Sequence, residues 1–109
     1  RSGSISALDP GIYGLSNHLL DTPWPKVAKG KSRLTEILAN GGKNQEMFHL
    51  LADRTLADDA DLPDTGIGYE KEKFLSAIFI ETPIYGTRCS TVVTADANGK
   101  FEFEERVFV

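Results

Sequence analysis

The sequence predicts an α+β domain, and three observations support this fold class. Two consecutive segments in the first half of the chain repeat apolar residues at helical spacing. The C-terminal part contains two strand-like segments, and the Asn98-Gly99 dipeptide between them is among the strongest short signals for a β-hairpin. A length of 109 residues, with 40% apolar and 26% charged residues, is typical of one globular domain. We therefore expect two to three helices and a C-terminal hairpin within residues 1–109.

The N-terminal third predicts a short strand followed by a long helix. The apolar segment Ile12–Leu15 lies between turn-forming residues, which favours a strand. Two prolines then restrict the backbone, and either Asp21 or Thr22 is the expected cap of the following helix. From Lys26 the pattern is helical until Gly41-Gly42 ends it, with these apolar positions on one side: Val27, Leu34, Ile37 and Leu38.

Two further helices are expected in the middle of the chain. The segment from Asn44 to about Arg54 has apolar residues at helical spacing, with Asn44 as its candidate cap. An acidic loop follows, and Glu70 to about Ala77 predicts a shorter third helix.

The C-terminal hairpin is expected to comprise Gly86–Ala95 and Lys100–Val109. In the second strand, a period of two separates an apolar side from a charged side. The apolar side, interrupted by Glu105, holds Phe101, Phe103, Val107 and Val109, and the charged side holds Glu102, Glu104 and Arg106. We expect the apolar side to belong to the core.

Charge and cysteine content limit the possible partners. Twelve Lys and Arg against sixteen Asp and Glu give a net charge of −4, which disfavours nucleic acid and anionic membrane surfaces. No apolar run approaches the roughly 20 residues of a transmembrane helix, so we expect a soluble protein without a transmembrane segment. Cys89 is the single cysteine, which excludes an internal disulfide and suits a reducing, intracellular compartment.

Most candidate chemical groups have a simpler interpretation. Four aspartates in the acidic loop do not match the calcium-loop pattern, so we interpret them as a solvated loop and expect no metal: Asp58, Asp59, Asp61 and Asp64. Cys89 follows Arg88 and could be a nucleophile, although a lone strand cysteine is more often a small apolar residue. No phosphate-binding glycine loop is present, so we expect no nucleotide cofactor, and none of another kind.

Two clusters place a glycine and polar side chains at the end of an apolar segment, where they could face a cleft: Tyr13–Val27 and Tyr85–Val93. The structural alternative is that Asn17 caps the next turn and Arg88 pairs with a surface carboxylate. Spacing alone favours the structural alternative.

The same clusters carry a family resemblance, which runs in order from about Tyr13 to Phe108. The motifs are Tyr-Gly-Leu-Ser-Asn from Tyr13, Leu-Asp-Thr-Pro-Trp-Pro-Lys-Val from Leu20, Leu-Pro-Asp-Thr-Gly from Leu62, Leu75-Ser76 with Ile78-Phe79-Ile80, and Tyr-Gly-Thr-Arg-Cys-Ser-Thr-Val-Val from Tyr85. They resemble the C-terminal portion of the transport-and-Golgi-organisation family, also called the NRDE family. The N-terminal motifs of that family are missing, so residues 1–109 are expected to be a partial domain.

The resemblance implies part of an N-terminal-nucleophile-hydrolase-like fold, in which two stacked sheets lie between helical layers. In amide-cleaving relatives of that fold an N-terminal cysteine attacks the substrate. By similarity of context, Asn17 would donate to a developing oxyanion and Arg88 would anchor the site electrostatically. The nucleophile of such a cysteine-dependent amide hydrolase would lie outside this chain.

The resemblance also implies intracellular handling of haem or a lipid-type ligand, with mitochondrial or Golgi association. Tyr13, Trp24 and Tyr85 would then form apolar walls of a cleft, and His18 and Cys89 would complete the ligand-binding set. Possible axial ligands of haem also include Met47 and His49. A third alternative is a structural half whose sheet edges are completed by the missing N-terminal segment or by another chain.

Overall fold

The computed structural model of the chain describes residues 5–16 and 21–108 and confirms the α+β class. Its elements are α1 (Pro25–Ala39), α2 (Asn44–Leu51), a single 3-10 turn (Asp59–Asp61), α3 (Tyr69–Phe74), β1 (Cys89–Ala95) and β2 (Phe101–Val107). The three predicted helices and the hairpin are therefore present, with α2 and α3 shorter at their C-terminal ends than expected. Within the described ranges, no helix is both long and apolar enough to cross a membrane.

The predicted helix caps are wrong. Trp24 is the N-cap of α1 and makes no capping hydrogen bond with its side chain, while Pro25 occupies the first turn. Proline suits that position because its fixed φ is helical and the missing N–H would have no partner inside the helix. Lys43, not Asn44, precedes α2. The predicted stop at Gly41-Gly42 is confirmed, because Gly42 adopts φ +63° and its N–H donates to Ile37 O at 2.8 Å.

The predicted strand at Ile12–Leu15 is also wrong, because residues 12–16 form no regular element. This segment lies against α1 instead of pairing with a strand. A Cβ on Gly14 would come within 2.6 Å of Val27 Cγ1, so the backbone packs directly on the helix at this glycine. Close approach to α1 therefore explains why a glycine stands at position 14.

The core lies where α1, α2, the segment after α3 and β1 meet, and its buried apolar residues are Val27, Ile37, Phe48, Leu50, Ala77, Phe79 and Val92. Asp53 connects α1 to the end of α2 through Lys29 at 2.8 Å and Arg33 at 3.5 Å. The hydrogen bond from Lys29 holds the pKa of the Asp53 carboxyl well below its usual range. The backbone carbonyl of Asp53 also accepts the Phe79 N–H at 2.8 Å.

The hairpin pairs antiparallel in a register that places Cys89 opposite Val107 and Ala95 opposite Phe101. Its inner face, defined as Ser90, Val92, Thr94, Glu102, Glu104 and Arg106, lies towards α2. Val92 is buried there, and the Arg106 guanidinium lies 4.0 Å from the centre of the Phe48 ring. This cation–π contact joins the hairpin to the helices.

The outer face of the hairpin consists of Cys89, Thr91, Val93, Ala95, Phe101, Phe103, Glu105 and Val107. The expectation that the apolar side of β2 belongs to the core is wrong for the described chain, since Phe101, Phe103 and Val107 are each at least 70% exposed. The physical reason is that α2 packs on the opposite side of the strands, against Val92. Val109 lies outside the described residues.

The side chain of Asp96 stabilises the turn of the hairpin. The Asp96 carboxylate accepts N–H groups of Asn98 and Lys100, each at 2.9 Å, and Gly99 adopts φ +78°. The Gly99 N–H donates to Asp96 O at 3.1 Å. This is the pattern of a turn followed by a glycine in the left-handed region, and it confirms the predicted hairpin signal.

Candidate ligand-binding site

Two cavities share Lys26, at the first turn of α1, as a lining residue. The first cavity has a volume of about 390 Å³, and its walls combine the Tyr13–Ser16 segment with apolar side chains of α1 and α2, including Val27, Leu34 and Leu50. Lys31 adds a second amine to this wall. The Ser16 hydroxyl is buried and has no hydrogen-bond partner within the described ranges. The first cavity is thus apolar with a few polar groups, as ligand sites commonly are.

A polar clamp holds the first cavity wall in place. The Asp21 carboxylate accepts the Gly14 N–H at 2.9 Å and the Lys31 ammonium at 2.6 Å, and the Asp21 N–H donates to Gly14 O at 2.7 Å. Asp21 adopts φ +63°, which Asp tolerates better than most residues. The hydrogen bonds from Lys31 and Gly14 lower the pKa of the Asp21 carboxyl. The clamp joins the chain on both sides of residues 17–20.

The second cavity, of about 240 Å³, is lined by residues from four separate parts of the sequence. The start of α1 contributes Trp24, Pro25 and Lys26, and the acidic loop contributes Pro63, Thr65 and Ile67. The other lining residues come from α3 and the segment after it, and from the following turn: Glu72, Leu75, Ser76, Ile80 and Tyr85. The cavity therefore depends on the tertiary fold and not on one local motif.

Lys26 is the charged group common to both cavities. Its ammonium donates to the carbonyl of Leu75 at 2.9 Å, at the C-terminal end of α3. Burial lowers the pKa of this ammonium, because removal from water disfavours its charged form. Within the described ranges Lys26 forms no ion pair, and it lies at the wall of both cavities.

Glu72 contributes a buried carboxylate to the second cavity and is 7% exposed. Its Oε1 accepts the Thr65 N–H at 2.9 Å and also the Thr65 hydroxyl. These two bonds join the acidic loop to α3 and compensate part of the cost of removing a carboxylate from water. The function of Thr65 in this structure is to hold Glu72.

A short turn presents Tyr85 to the second cavity. The Thr82 N–H and hydroxyl both donate to Tyr85 O, at 2.9 and 2.6 Å, and the Tyr85 N–H donates to Thr82 Oγ1 at 2.9 Å. Gly86 then passes so close to the Ile80 carbonyl that a Cβ would lie 2.9 Å from its oxygen. The turn requires glycine at this position for that steric reason.

The structure brings together some of the predicted ligand residues. Tyr13 lines the first cavity, while Trp24 and Tyr85 both line the second. Arg88 and Cys89 are exposed at the start of β1 and line neither cavity. Asn17 and His18 lie outside the described residues, so the convergence of Asn17 and Arg88 on one cleft stays a prediction.

Lys26 and Glu72 were not expected from the sequence as site residues. Lys26 stands inside the Trp-Pro-Lys-Val motif, which was a detectable signal. Glu72 carries no comparable signal, since its role depends on Thr65, seven residues earlier on a separate loop. In the acidic loop, Asp59 also has a structural partner, because its carboxylate accepts Lys73 Nζ at 2.8 Å and the Tyr69 hydroxyl at 3.0 Å.

Comparison with known proteins decides the family. The family model described as "Transport and Golgi organisation 2" matches residues 1–109. The chain belongs to the Transport and Golgi organisation 2 family. The resemblance drawn from the motifs is therefore confirmed, since NRDE is another name for the same family.

Curated members of the Transport and Golgi organisation 2 family align with 91% of this chain. The bovine (Bos taurus) Transport and Golgi organization protein 2 homolog is 38% identical over 109 residues. The mouse (Mus musculus) and human (Homo sapiens) homologues are each 34% identical over 108 residues. In each case the alignment covers 39% of the relative, so the chain spans well under half the length of these proteins.

Proposed function

We propose that this chain contributes to the binding site of an intracellular ligand-handling protein whose ligand is an amphipathic anion. The ligand would have an apolar body and an acidic group, chemistry that a lipid-type carboxylate and haem have in common. The apolar body would occupy the first cavity or extend along the aromatic wall of the second, and Lys26 would receive the acidic group.

The observation that carries this proposal is the convergence of the family motifs. The Trp-Pro-Lys, Leu-Pro-Asp-Thr-Gly, Leu-Ser and Tyr-Gly-Thr-Arg motifs each place at least one residue on the second cavity. The Tyr-Gly-Leu-Ser motif lines the adjoining first cavity. Motifs separated by up to about seventy residues thus meet around one lysine, as expected when a shared site relates the members of a family.

The electrostatics support an acidic ligand group. Burial removes hydration from Lys26 and lowers its pKa, and no carboxylate among the described residues pairs with it. An anion bound beside the ammonium would offset that loss, and charge-assisted hydrogen bonds are about twice as strong as neutral ones. Glu72 is already held by Thr65 and would repel an anion, which directs the acidic group towards Lys26 and away from the acidic-loop wall.

Haem, too, would have to bind through an acidic group placed beside Lys26. Among the described residues that line the two cavities there is no His, Met or Cys, and of the usual axial ligands of haem iron only tyrosine is present. Met47 and His49, on α2, line neither cavity. We therefore base the proposal on the acidic group and not on an axial ligand.

The cysteine-dependent amide hydrolase stays the alternative. It requires Asn17, Arg88 and a cysteine outside this chain to meet at one carbonyl. The exposed position of Arg88, away from both cavities, gives this alternative less support than ligand binding. We likewise propose, from the family resemblance, that the helices and hairpin form part of a four-layer fold with two stacked sheets.

Fluorescence titration of the complete natural polypeptide tests the binding proposal. The probes are cis-parinaric acid, a fluorescent fatty acid, and haemin in a separate titration, with Trp24→Phe to assign changes in tryptophan emission. We expect saturable binding of at least one probe and loss of the Trp24 contribution in the variant. Binding of cis-parinaric acid alone would identify a lipid-type ligand, and binding of haemin alone would identify haem.

A matched pair of variants tests the role of Lys26. We expect Lys26→Gln to weaken binding about tenfold or more, because one charge-assisted hydrogen bond is lost. Lys100→Gln, which removes one positive charge from the exposed hairpin turn, should change the affinity less than twofold. Equal effects of the two variants, or no saturable binding of either probe, would refute the proposal.

The pH dependence of binding gives a second test. Anion binding requires protonated Lys26, whose pKa lies below its ordinary value of 10.5 in the free protein. Affinity should therefore be greatest below that lowered pKa and decrease as the pH rises through it. Lys26→Gln should remove this dependence, and a wild-type affinity that is constant up to pH 10.5 would contradict the assignment.

A further inference from the structure

The outer face of the hairpin is an apolar surface that no described part of the chain covers. Val93 is 56% exposed, Phe101 72%, Phe103 70% and Val107 71%. Val93 lies opposite Phe103, and Phe101 occupies the neighbouring row, so these three residues form one contiguous apolar surface, while Val107 lies beyond the Thr91–Glu105 row. An exposed apolar surface of this kind, on a sheet whose other side packs on a helix, marks an interaction site.

The one charged residue of the outer face is already partnered. Glu105 lies opposite Thr91, and the Thr91 hydroxyl donates to Glu105 Oε2 at 2.9 Å. The Glu105 carboxylate therefore keeps a hydrogen bond if the face is removed from water. No Lys or Arg lies on the outer face.

The inner face has the opposite character, although it is the side that packs on α2. On β2 it consists of Glu102, Glu104 and Arg106, all exposed. Thus the apolar residues of β2 are on the outer face, which no described residue covers, and its charged residues other than Glu105 are on the inner face, which lies towards α2. If α2 were the only element that packed on β2, the apolar residues of the strand would be expected on the inner face and its charged residues on the outer face.

We propose that the outer face of the hairpin docks against the part of the family domain that these 109 residues do not span. The relatives contain additional polypeptide that this interface requires, since the aligned region is 39% of the length of the bovine relative. A second copy of this chain fits less well, because joining two outer faces would bury two Glu105 carboxylates without adding a cation. The proposal deepens the four-layer scaffold stated above, and it does not depend on which ligand is bound.

Cys89 provides a direct probe, because it lies on the outer face and is exposed in this chain. The experiment measures maleimide labelling of Cys89 in the complete natural polypeptide, by peptide mass mapping, before and after denaturation. We expect Cys89 to react about 100-fold more slowly in the native polypeptide, because labelling then requires opening of the docked segment. A Ser32→Cys variant, exposed on α1, should react rapidly in the native state and serves as the control.

Strand variants identify the face that is covered. Phe103→Asp should raise the Cys89 labelling rate at least tenfold, whereas Glu102→Ala, on the inner face of the same strand, should change it less than twofold. If Phe103→Asp prevents folding, the wild-type labelling rate still decides the question.

Three results would overturn the proposal: rapid labelling of native wild-type Cys89, protection that appears only on dimerisation in ultracentrifugation, or an intact mass of the natural polypeptide equal to 11.9 kDa. The ligand titrations are separate measurements. Protected Cys89 without ligand binding would retain the docking interface and refute only the binding proposal. Ligand binding together with rapid labelling of native Cys89 would retain the binding proposal and refute the docking interface.

Discussion

The helical region around Lys26 and the C-terminal hairpin differ in how far their apolar side chains are covered. In the helical region, Val27, Ile37 and Phe48 are buried, and even a carboxylate, that of Glu72, has partners in place. On the hairpin, Val92 is buried, while the apolar residues of the outer face are exposed. The difference indicates that, among the described residues, the helices share a buried core with the inner face of the hairpin, whereas the apolar outer face has no cover.

The largest expected effect is at the contact between these two regions. Phe48 is 3% exposed and lies beneath the Arg106 guanidinium. Phe48→Ala should lower the free energy of unfolding of the complete polypeptide by about 3–5 kcal/mol in urea denaturation. Phe74→Ala, at a position 47% exposed on α3, should cost less than about 1 kcal/mol. Equal losses of unfolding free energy in the two variants would show that the contact between Phe48 and the hairpin contributes no more to stability than an exposed position on α3.

The next effect concerns the wall of the first cavity. Gly14→Ala would place a methyl group 2.6 Å from Val27 Cγ1, and we expect a loss of about 1–3 kcal/mol from overpacking. Gly11→Ala is the matched control, because its new methyl group would meet its nearest neighbour, the Tyr13 ring, at 3.4 Å. Thermal or urea denaturation compares the two. A larger loss for Gly11→Ala would contradict the close packing described at Gly14.

A smaller effect is expected at the second cavity. Thr65→Val removes the hydroxyl that donates to Glu72 but retains the backbone N–H, so we expect a loss of about 1–2 kcal/mol. Thr35→Val, on the exposed side of α1, should change stability by less than about 0.5 kcal/mol. The urea midpoints of the two variants provide the measurement. An unchanged midpoint for Thr65→Val would show that Glu72 does not depend on this hydroxyl.

The smallest effect is a dependence of stability on pH. Because Lys29 lowers the pKa of Asp53 in the folded state, the ion pair contributes its full stability above the ordinary pKa of 3.8 and loses it as the pH falls further. Asp53→Asn should flatten the decline of the urea midpoint below that pH by the equivalent of about 1 kcal/mol. Asp58→Asn, in the exposed loop, should leave the decline unchanged. If the urea midpoint declines with pH equally steeply in Asp53→Asn and in the wild type, Asp53 does not cause the acid destabilisation.

Much of the architecture could be predicted from local patterns. The helix from Lys26 was predicted because its apolar positions repeat at helical spacing, and the hairpin because Asn98-Gly99 suits a turn with a left-handed residue. The short apolar segment Ile12–Leu15 was wrongly predicted as a strand, because Gly14 serves close contact with α1. In β2, alternation separated the two sides correctly, but it cannot tell which side the rest of the chain covers.

The candidate site was only partly predictable, for a similar reason. Trp24 and Tyr85 were expected in one cleft because aromatic residues stood inside family motifs, and both line the second cavity. Lys26 and Glu72 were missed because their places at the cavities depend on burial and on tertiary contacts, from Lys26 to the Leu75 carbonyl and from Thr65 to Glu72, which motif matching does not reveal. Such tertiary partners leave no periodic signal.

The hydrogen bonds of the Asp96 turn are all local, which favours early formation of the hairpin and its apolar outer face during folding. All of the turn's hydrogen bonds join residues no more than four positions apart, so the turn can close without the rest of the domain, on the microsecond scale of about 1–10 μs known for hairpins. A shift of one residue in strand register would turn the phenylalanines of β2 towards α2, and the turn opposes that shift. In a newly synthesised chain this apolar surface would therefore be correctly oriented while it is still exposed to water, and exposed apolar strands promote aggregation during folding.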